Sequence, residues 1–152
     1  MRGYMNMDHA QEAVDLLAEG YSCSQSVFSV YAKEYGLDPA LARKISTGFG
    51  GGIGRTGNMC GAVSGAILVL GLANGMNSLQ EPEWREKSYS LDKEFIEKFI
   101  SRFGSIQCPD LLGYNMAIPE ELAESKRVGA AKKVCPELVR GAAEILDEML
   151  KK

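Results

Sequence analysis

Four cysteines are the residues of this sequence with the clearest capacity for chemistry. They are Cys23, Cys60, Cys108 and Cys135, separated by 37, 48 and 27 positions, and no two of them form a CxxC pair. Thioredoxin-like enzymes, zinc ribbons and common ferredoxins hold neighbouring sulfurs on one turn, so the spacing argues against all three. A site that uses several of these thiols must therefore be assembled by the fold.

The predicted positions of the cysteines favour a thiolate role. Cys23 follows the helix cap Ser22, Cys60 precedes a helix-forming segment, and Cys108 and Cys135 each stand directly before a proline. All four are thus predicted at helix N-termini, where free amides and the helix dipole lower a thiol pKa from about 8.5 toward neutrality. The alternative is that small, readily buried cysteines only fill core positions. Four such positions in one chain favour thiol chemistry.

A glycine-rich segment precedes the second cysteine. Residues 48–57 read GFGGGIGRTG and contain six of the 17 glycines, which predicts an irregular loop. Gly52, Gly54 and Gly57 satisfy the GxGxxG pattern of dinucleotide-binding folds. Such folds need a strand before the glycines and an acidic residue about 20 positions later, whereas Asn77 stands there. The pattern therefore does not favour nucleotide binding.

The glycines suggest a different role beside Cys60. They allow backbone amides to curl around the sulfur, or around an anion near it, with Gly57 and Gly61 as the candidate cofactor-binding positions. Arg55 is a candidate contact for an anionic substrate, although its position in a loop favours solvent exposure. The lysine pair at 132–133 would also favour a thiolate at Cys135 if it folded toward the sulfur, although solvated surface is the expectation for it.

Length and charge limit the classes of function. The 152 residues carry a net charge of -3 with a pI near 5.3, so nothing predicts binding to nucleic acid. The longest nearly apolar run, residues 60–73, is shorter than the roughly 20 residues that a membrane-spanning helix needs. The N-terminus has charged residues where a signal peptide would have its apolar core, and the cysteines are too sparse for a disulfide scaffold. A cytoplasmic location is expected.

Apolar residues recur with periods of three and four, which predicts an all-α fold. We expect one domain over residues 1–152: a bundle of about six helices with the glycine-rich loop before a buried central helix. Caps predict helices from Asp8, from Ser22 and from Asp38, and phenylalanines repeat every fourth residue up to Gly104. Residues 76–87 are predicted as a polar connection. The last two helices are predicted to begin near Pro119 and at Pro136.

The residues Cys60, Gly61, Ala62 and Gly65 spell CGAxxG, with one cysteine upstream and two downstream. This pattern resembles the C_GCAxxG_C_C family, and the similarity extends from Cys23 to Cys135, including the glycine-rich segment and the CPDLLG sequence at 108–113. The resemblance implies a redox role for the four cysteines and an association of members with transporter genes. It does not specify a reaction.

These observations leave three functions open. The first is a redox protein that uses thiol–disulfide chemistry, with Cys60 as the expected nucleophile, another cysteine resolving the mixed disulfide, and a partner protein or small thiol exchanging electrons. The second is a zinc or iron–sulfur site ligated by Cys23, Cys60, Cys108 and Cys135. The third is a non-catalytic accessory protein for a transporter or partner. A small-residue ridge from Gly61 to Ala66 also raises the prospect of a homodimer.

Overall fold

The computed structural model describes residues 8–151 and folds them into eight helices. In chain order they are α1 (His9–Glu19), α2 (Cys23–Ala32), α3 (Pro39–Ser46), α4 (Gly61–Asn74), α5 (Glu83–Phe103), α6 (Cys108–Leu112), α7 (Pro119–Val128) and α8 (Ala130–Leu150). Across residues 8–151 the extended pairing is limited to an isolated bridge between Met59 and Gln107. The all-α prediction is confirmed, and the helices outnumber the predicted six.

The first three helices begin where their caps predict. Asp8 accepts a hydrogen bond of 3.0 Å from the backbone amide of Gln11. Ser22 and Gln25 bond to each other's backbone amides, which completes a capping box. Asp38 caps α3 from the position before its initial proline. These local signals suffice because each satisfies amides that the helix itself leaves unpaired.

Two predicted helix boundaries are wrong. Helix α5 begins at Glu83, so Trp84 lies in its first turn rather than in a polar connection. Helix α8 begins at Ala130 and continues through Pro136, which was predicted to start it. Proline has no amide to donate to the carbonyl of Lys132. That carbonyl belongs to an exposed residue, where water can satisfy it, so the helix tolerates the proline.

The central helix α4 packs closely against α2. An ideal Cβ at position 65 would lie 2.8 Å from the carbonyl oxygen of Ser24, and one at position 61 would lie 3.0 Å from the Ser24 amide. Glycine at 61 and 65 therefore allows the two backbones to meet. The small-residue ridge is occupied by α2 of the same chain, so it does not provide the surface for a second copy that the sequence suggested.

Helices α5 and α8 cover the other side of α4. Phe95 and Phe99 of α5 and Val139 and Leu146 of α8 have no exposed surface. Burial of each such side chain stabilises the fold by about 1.5–3 kcal/mol. The apolar stripes that predicted these two helices are the faces that form the core.

His9 is the first residue of α1 and is half-buried. Its ring stacks on Tyr31 at 4.1 Å between centroids, its Nδ1 lies 2.7 Å from Asp147, and its Nε2 hydrogen-bonds Glu34. Burial lowers the pKa of His9, but the hydrogen bonds and negative charges of Asp147 and Glu34 raise it more, to about 9. A charged histidine thus ties α1 to α8.

Within residues 8–151, none of the helices has the length and apolar character needed to cross a lipid bilayer.

Candidate functional site

All four cysteines lie in the wall of one open cavity of about 900 Å³. The cavity is bounded by α1, the start of α2, the glycine-rich segment, the start of α4, α6 and the N-terminal half of α8. Residues up to 112 positions apart in the sequence are thus brought to one place. The prediction that the fold assembles the cysteines is confirmed.

Three of the cysteines occupy helix starts as predicted. Cys23 is the first residue of α2, Cys60 is the N-cap of α4, and Cys108 is the first residue of α6. Cys135 is different, since it lies in the second turn of α8, just before Pro136. The prediction that every thiol lies at a helix start is therefore wrong for Cys135.

A short antiparallel contact places Cys60 beside Cys108. The amide of Cys60 donates to the carbonyl of Ile106 at 2.8 Å, and the amide of Cys108 donates to the carbonyl of Asn58 at 2.9 Å. These bonds flank the bridge between residues 59 and 107. Two helices that are distant in sequence consequently begin next to each other, one with Cys60 as its N-cap and the other with Cys108 as its first residue.

The glycine-rich segment forms a left-handed turn under this contact. Five consecutive residues, 51–55, have positive φ, including the non-glycine residues Ile53 (φ 65°) and Arg55 (φ 64°). An ideal Cβ at position 52 would lie 2.9 Å from the Cβ of Cys108, so a side chain there would displace the cysteine. A left-handed conformation costs a residue other than glycine about 1–2 kcal/mol. The segment lines the cavity.

The two glycines predicted to contact a cofactor have different environments. Gly61 lies in the cavity wall, next to Cys60. Gly57 is not part of the wall; its position is set by Asn115, whose Oδ1 would be 2.5 Å from an added Cβ. Of this pair, Gly61 alone is placed to meet a bound molecule.

Cys23 and Cys135 interact in the cavity wall, and a hydrogen bond between their thiols is the main cause of the opposite shifts in their pKa values. The bond from the Cys23 thiol lowers the pKa of Cys135 against the opposing effect of burial. The same bond, together with burial and the charge of Cys135, raises the pKa of Cys23 well above its ordinary value. Cys135 is therefore the more acidic thiol of the pair, and Cys23 the less acidic one.

Cys60 and Cys108 remain protonated thiols. Burial raises the pKa of Cys60 to about 12, although the backbone amides of Ala62 and Val63 act in the opposite direction. Burial and the charge on Cys135 raise the pKa of Cys108 to about 11. The prediction that helix starts lower these pKa values is wrong because desolvation outweighs the helix amides. Cys60 accordingly does not have the properties of the predicted nucleophile.

The arrangement does not match a metal site. Among residues 8–151, no three His, Cys, Asp or Glu side chains are grouped so that they could hold a metal ion together. Tetrahedral ligation by four thiolates requires all four sulfurs around one point, whereas disulfide exchange requires only two sulfurs in contact at a time. Cys23 and Cys135 are the candidates for that contact, since each thiol is the main cause of the shift in the other's pKa.

Two features of the cavity were not apparent from sequence. Lys132 lies one helical turn before Cys135 and lines the cavity. This position of Lys132 can be inferred only when the start of α8 at Ala130 is known. Leu111 and Met116 contribute apolar wall from α6 and the segment after it, and no sequence signal identifies them. Lys133 is exposed and outside the wall, as expected.

Comparison with known proteins places this geometry in context. The family model described as "Putative redox-active protein (C_GCAxxG_C_C)" matches residues 21–149. An "Uncharacterized protein" of Archaeoglobus fulgidus is 29% identical over 156 residues, covering 95% of this chain and 97% of its own length. No solved structure matches the chain.

Proposed function

Because the chain belongs to the C_GCAxxG_C_C family, we propose that it is a thiol–disulfide oxidoreductase whose reacting pair is Cys135 and Cys23. The observation that carries the proposal is the placement of both cysteines in the wall of a cavity large enough for a substrate, where their interaction lowers the pKa of Cys135 and raises that of Cys23. A thiolate with a thiol in contact is the minimal arrangement for two-electron disulfide exchange.

The first step is attack by the Cys135 thiolate on a substrate disulfide. A bond forms between Cys135 and one substrate sulfur, the substrate S–S bond breaks, and the other substrate sulfur leaves as a thiolate with the electron pair. The bond from Cys23 favours this step because it maintains the thiolate of Cys135.

The second step is resolution by Cys23. Loss of the Cys135 charge in the mixed disulfide removes one cause of the raised pKa of Cys23, and its proton passes to the departed thiolate. The Cys23 thiolate then attacks the sulfur of Cys135, the mixed disulfide breaks, the second substrate sulfur leaves as a thiolate with the electron pair, and a Cys23–Cys135 disulfide remains. The substrate disulfide gains two electrons and the protein dithiol loses them, so the reaction balances.

Cys60 and Cys108 serve in the proposal as a second dithiol. They begin neighbouring helices, and Cys60 adjoins Gly61, where an ideal Cβ would lie 3.1 Å from the Cβ of Cys23. Exchange with the oxidised pair would join Cys60 to Cys108 and restore the dithiol of Cys135 and Cys23. A cytoplasmic location, as the sequence predicts, would supply thiols that reduce both pairs again.

Trapping of the mixed disulfide tests the assignment of roles. Reduced protein is treated with a neutral organic disulfide, and each cysteine is assigned by peptide mass spectrometry. We expect Cys23→Ser to accumulate a mixed disulfide on Cys135, and Cys135→Ser to react far more slowly. Equal reaction rates of wild type and Cys135→Ser would contradict the proposal.

Stoichiometry tests the second dithiol. Wild type should reduce two molecules of disulfide per chain, and the double variant Cys60→Ser/Cys108→Ser only one. Metal analysis of the anaerobically purified protein accompanies this titration, because a bound zinc ion or iron–sulfur cluster would favour the ligation hypothesis instead. Loss of all four cysteines without any cellular phenotype would favour the accessory role.

A further inference from the structure

Apart from the cysteines, the only charged side chains in the cavity wall formed by the described residues are two cations. Arg55 reaches it from the left-handed turn and Lys132 from α8, and no Asp or Glu side chain takes part in the wall. Among residues 8–151, neither cation forms an ion pair with an acidic side chain. This local positive charge stands against a net charge of -3 for the whole chain.

Both cations line the same cavity as the reacting pair, and both residues are exposed to solvent. Lys132 precedes Cys135 by three residues, so the two side chains share one helix face. Arg55 has a positive φ, and its Cγ lies 2.9 Å from where a Cβ at position 51 would be. The aliphatic part of the Arg55 side chain therefore lies across the turn, in space that a Cβ at position 51 would occupy. Backbone strain that places a cation at a cavity indicates a functional constraint.

The rest of the wall is mainly apolar. It includes side chains from α1, α6 and α8: Val14, Leu17, Leu111, Leu112 and Leu138. A volume of about 900 Å³ falls in the range of pockets that bind small molecules. Such a cavity suits a molecule with an apolar body, one or more negative charges and a sulfur that reaches Cys135.

Resting on the function proposed above, we propose that the substrate is a small organic disulfide that carries negative charge, recognised by Arg55 and Lys132. The charges position the disulfide for attack by Cys135 and attract it from solution. One anionic thiol leaves after each of the two exchange steps, and the protein dithiol supplies the two electrons.

A series of matched disulfides tests this inference. The probes are anionic 3,3′-dithiodipropionate, neutral bis(2-hydroxyethyl) disulfide and cationic cystamine, each reacted with the reduced protein at low ionic strength. We expect the anionic probe to react about tenfold faster than the neutral one, and the cationic probe to be slowest, because charged clefts raise association rates by at least that factor. This preference should disappear in 0.5 M salt.

A double variant and its matched control complete the test. Arg55→Gln/Lys132→Gln should reduce the ratio of anionic to neutral rates to about one. Arg85→Gln/Lys93→Gln changes the net charge equally on exposed positions of α5, outside the cavity, and should preserve the ratio. Circular dichroism confirms that both variants are folded.

The outcomes separate the two proposals. If the neutral probe fails to oxidise Cys23 and Cys135, the proposed function itself is wrong. If it does oxidise them but the anionic probe has no advantage, or the control loses the preference as fully as the cavity variant, the substrate inference is overturned. A disulfide-bonded protein that reacts faster than every small probe would also overturn it.

Discussion

Replacing Cys23 with alanine removes the S–H that donates to Cys135, so the pKa of Cys135 should rise. In the folded protein that hydrogen bond is the main cause of the lowered pKa of Cys135, and burial opposes it. Without the donor, burial alone remains and favours the neutral thiol. The variant should therefore react more slowly with any reagent that requires the thiolate.

The size of the effect follows from the strength of a hydrogen bond to a charged group, about 1.5–3 kcal/mol. Loss of that energy lowers the thiolate population of Cys135 about 10- to 150-fold at a pH below its pKa. A more basic thiolate is also a better nucleophile, and this offsets nearly half of the decrease in the logarithm of the alkylation rate. The net decrease in the alkylation rate should be about 4- to 15-fold.

The assay is alkylation by iodoacetamide from pH 5 to 10, with each cysteine quantified by peptide mass spectrometry. Cys23→Ser is the matched control, because its hydroxyl retains a donor and should keep the rate of Cys135 near that of wild type. Two results would refute the reasoning: a wild-type Cys135 that titrates at or above the ordinary thiol pKa, or equal rates in the Cys23→Ala and Cys23→Ser variants.

Three further predictions concern burial, charge and packing. Burial raises the pKa of Cys60 to about 12, so at pH 8 it should be the slowest cysteine to be alkylated in the folded protein; early labelling there would show that desolvation is overstated. The pKa of His9 is raised from 6.5 to about 9. The stabilisation of the fold by charged His9 is therefore complete below pH 6.5 and is lost as the pH rises to 9. The free energy of unfolding should fall by about 1–3 kcal/mol over this range, because solvent screens the two carboxylate partners in part. Urea denaturation at pH 6 and pH 9.5 measures it, and His9→Gln should lack this pH dependence. Finally, Gly65→Ala should destabilise the fold by about 1–3 kcal/mol, since its methyl group meets the backbone of α2. Gly71→Ala, in the same helix but facing open space, should be neutral or stabilise by up to about 1 kcal/mol; equal effects of the two substitutions would argue against the close helix contact.

Local patterns predicted the helices well, because most of their signals lie within a few residues. The capping box at Ser22 and Gln25 and the phenylalanine repeat that ends at Gly104 identified α2 and α5 correctly. Pro136 misled because a proline suits both a first helical turn and an interior position with a solvated carbonyl. Only the tertiary structure distinguishes these two positions of a proline. The same helix start at Ala130 places Lys132 within α8.

The cysteine site was predictable in its membership but not in its chemistry. Helix amides lower a thiol pKa and burial raises it, and sequence shows the first effect without the second. For Cys60 the effect of burial on the pKa is larger than that of the helix amides, so its position at a helix start led to a wrong prediction of a lowered pKa. The pairing of Cys23 with Cys135 depends on how α8 packs near α2, which spacing along the chain does not encode.

Anomalous diffraction from anaerobically grown crystals of the reduced protein would test the central claim most directly. The account predicts four sulfur peaks around one cavity, with the sulfurs of Cys23 and Cys135 within hydrogen-bonding distance and those of Cys60 and Cys108 next to them. Separation of the Cys23 and Cys135 sulfurs beyond contact, or a metal peak ligated by all four, would contradict it.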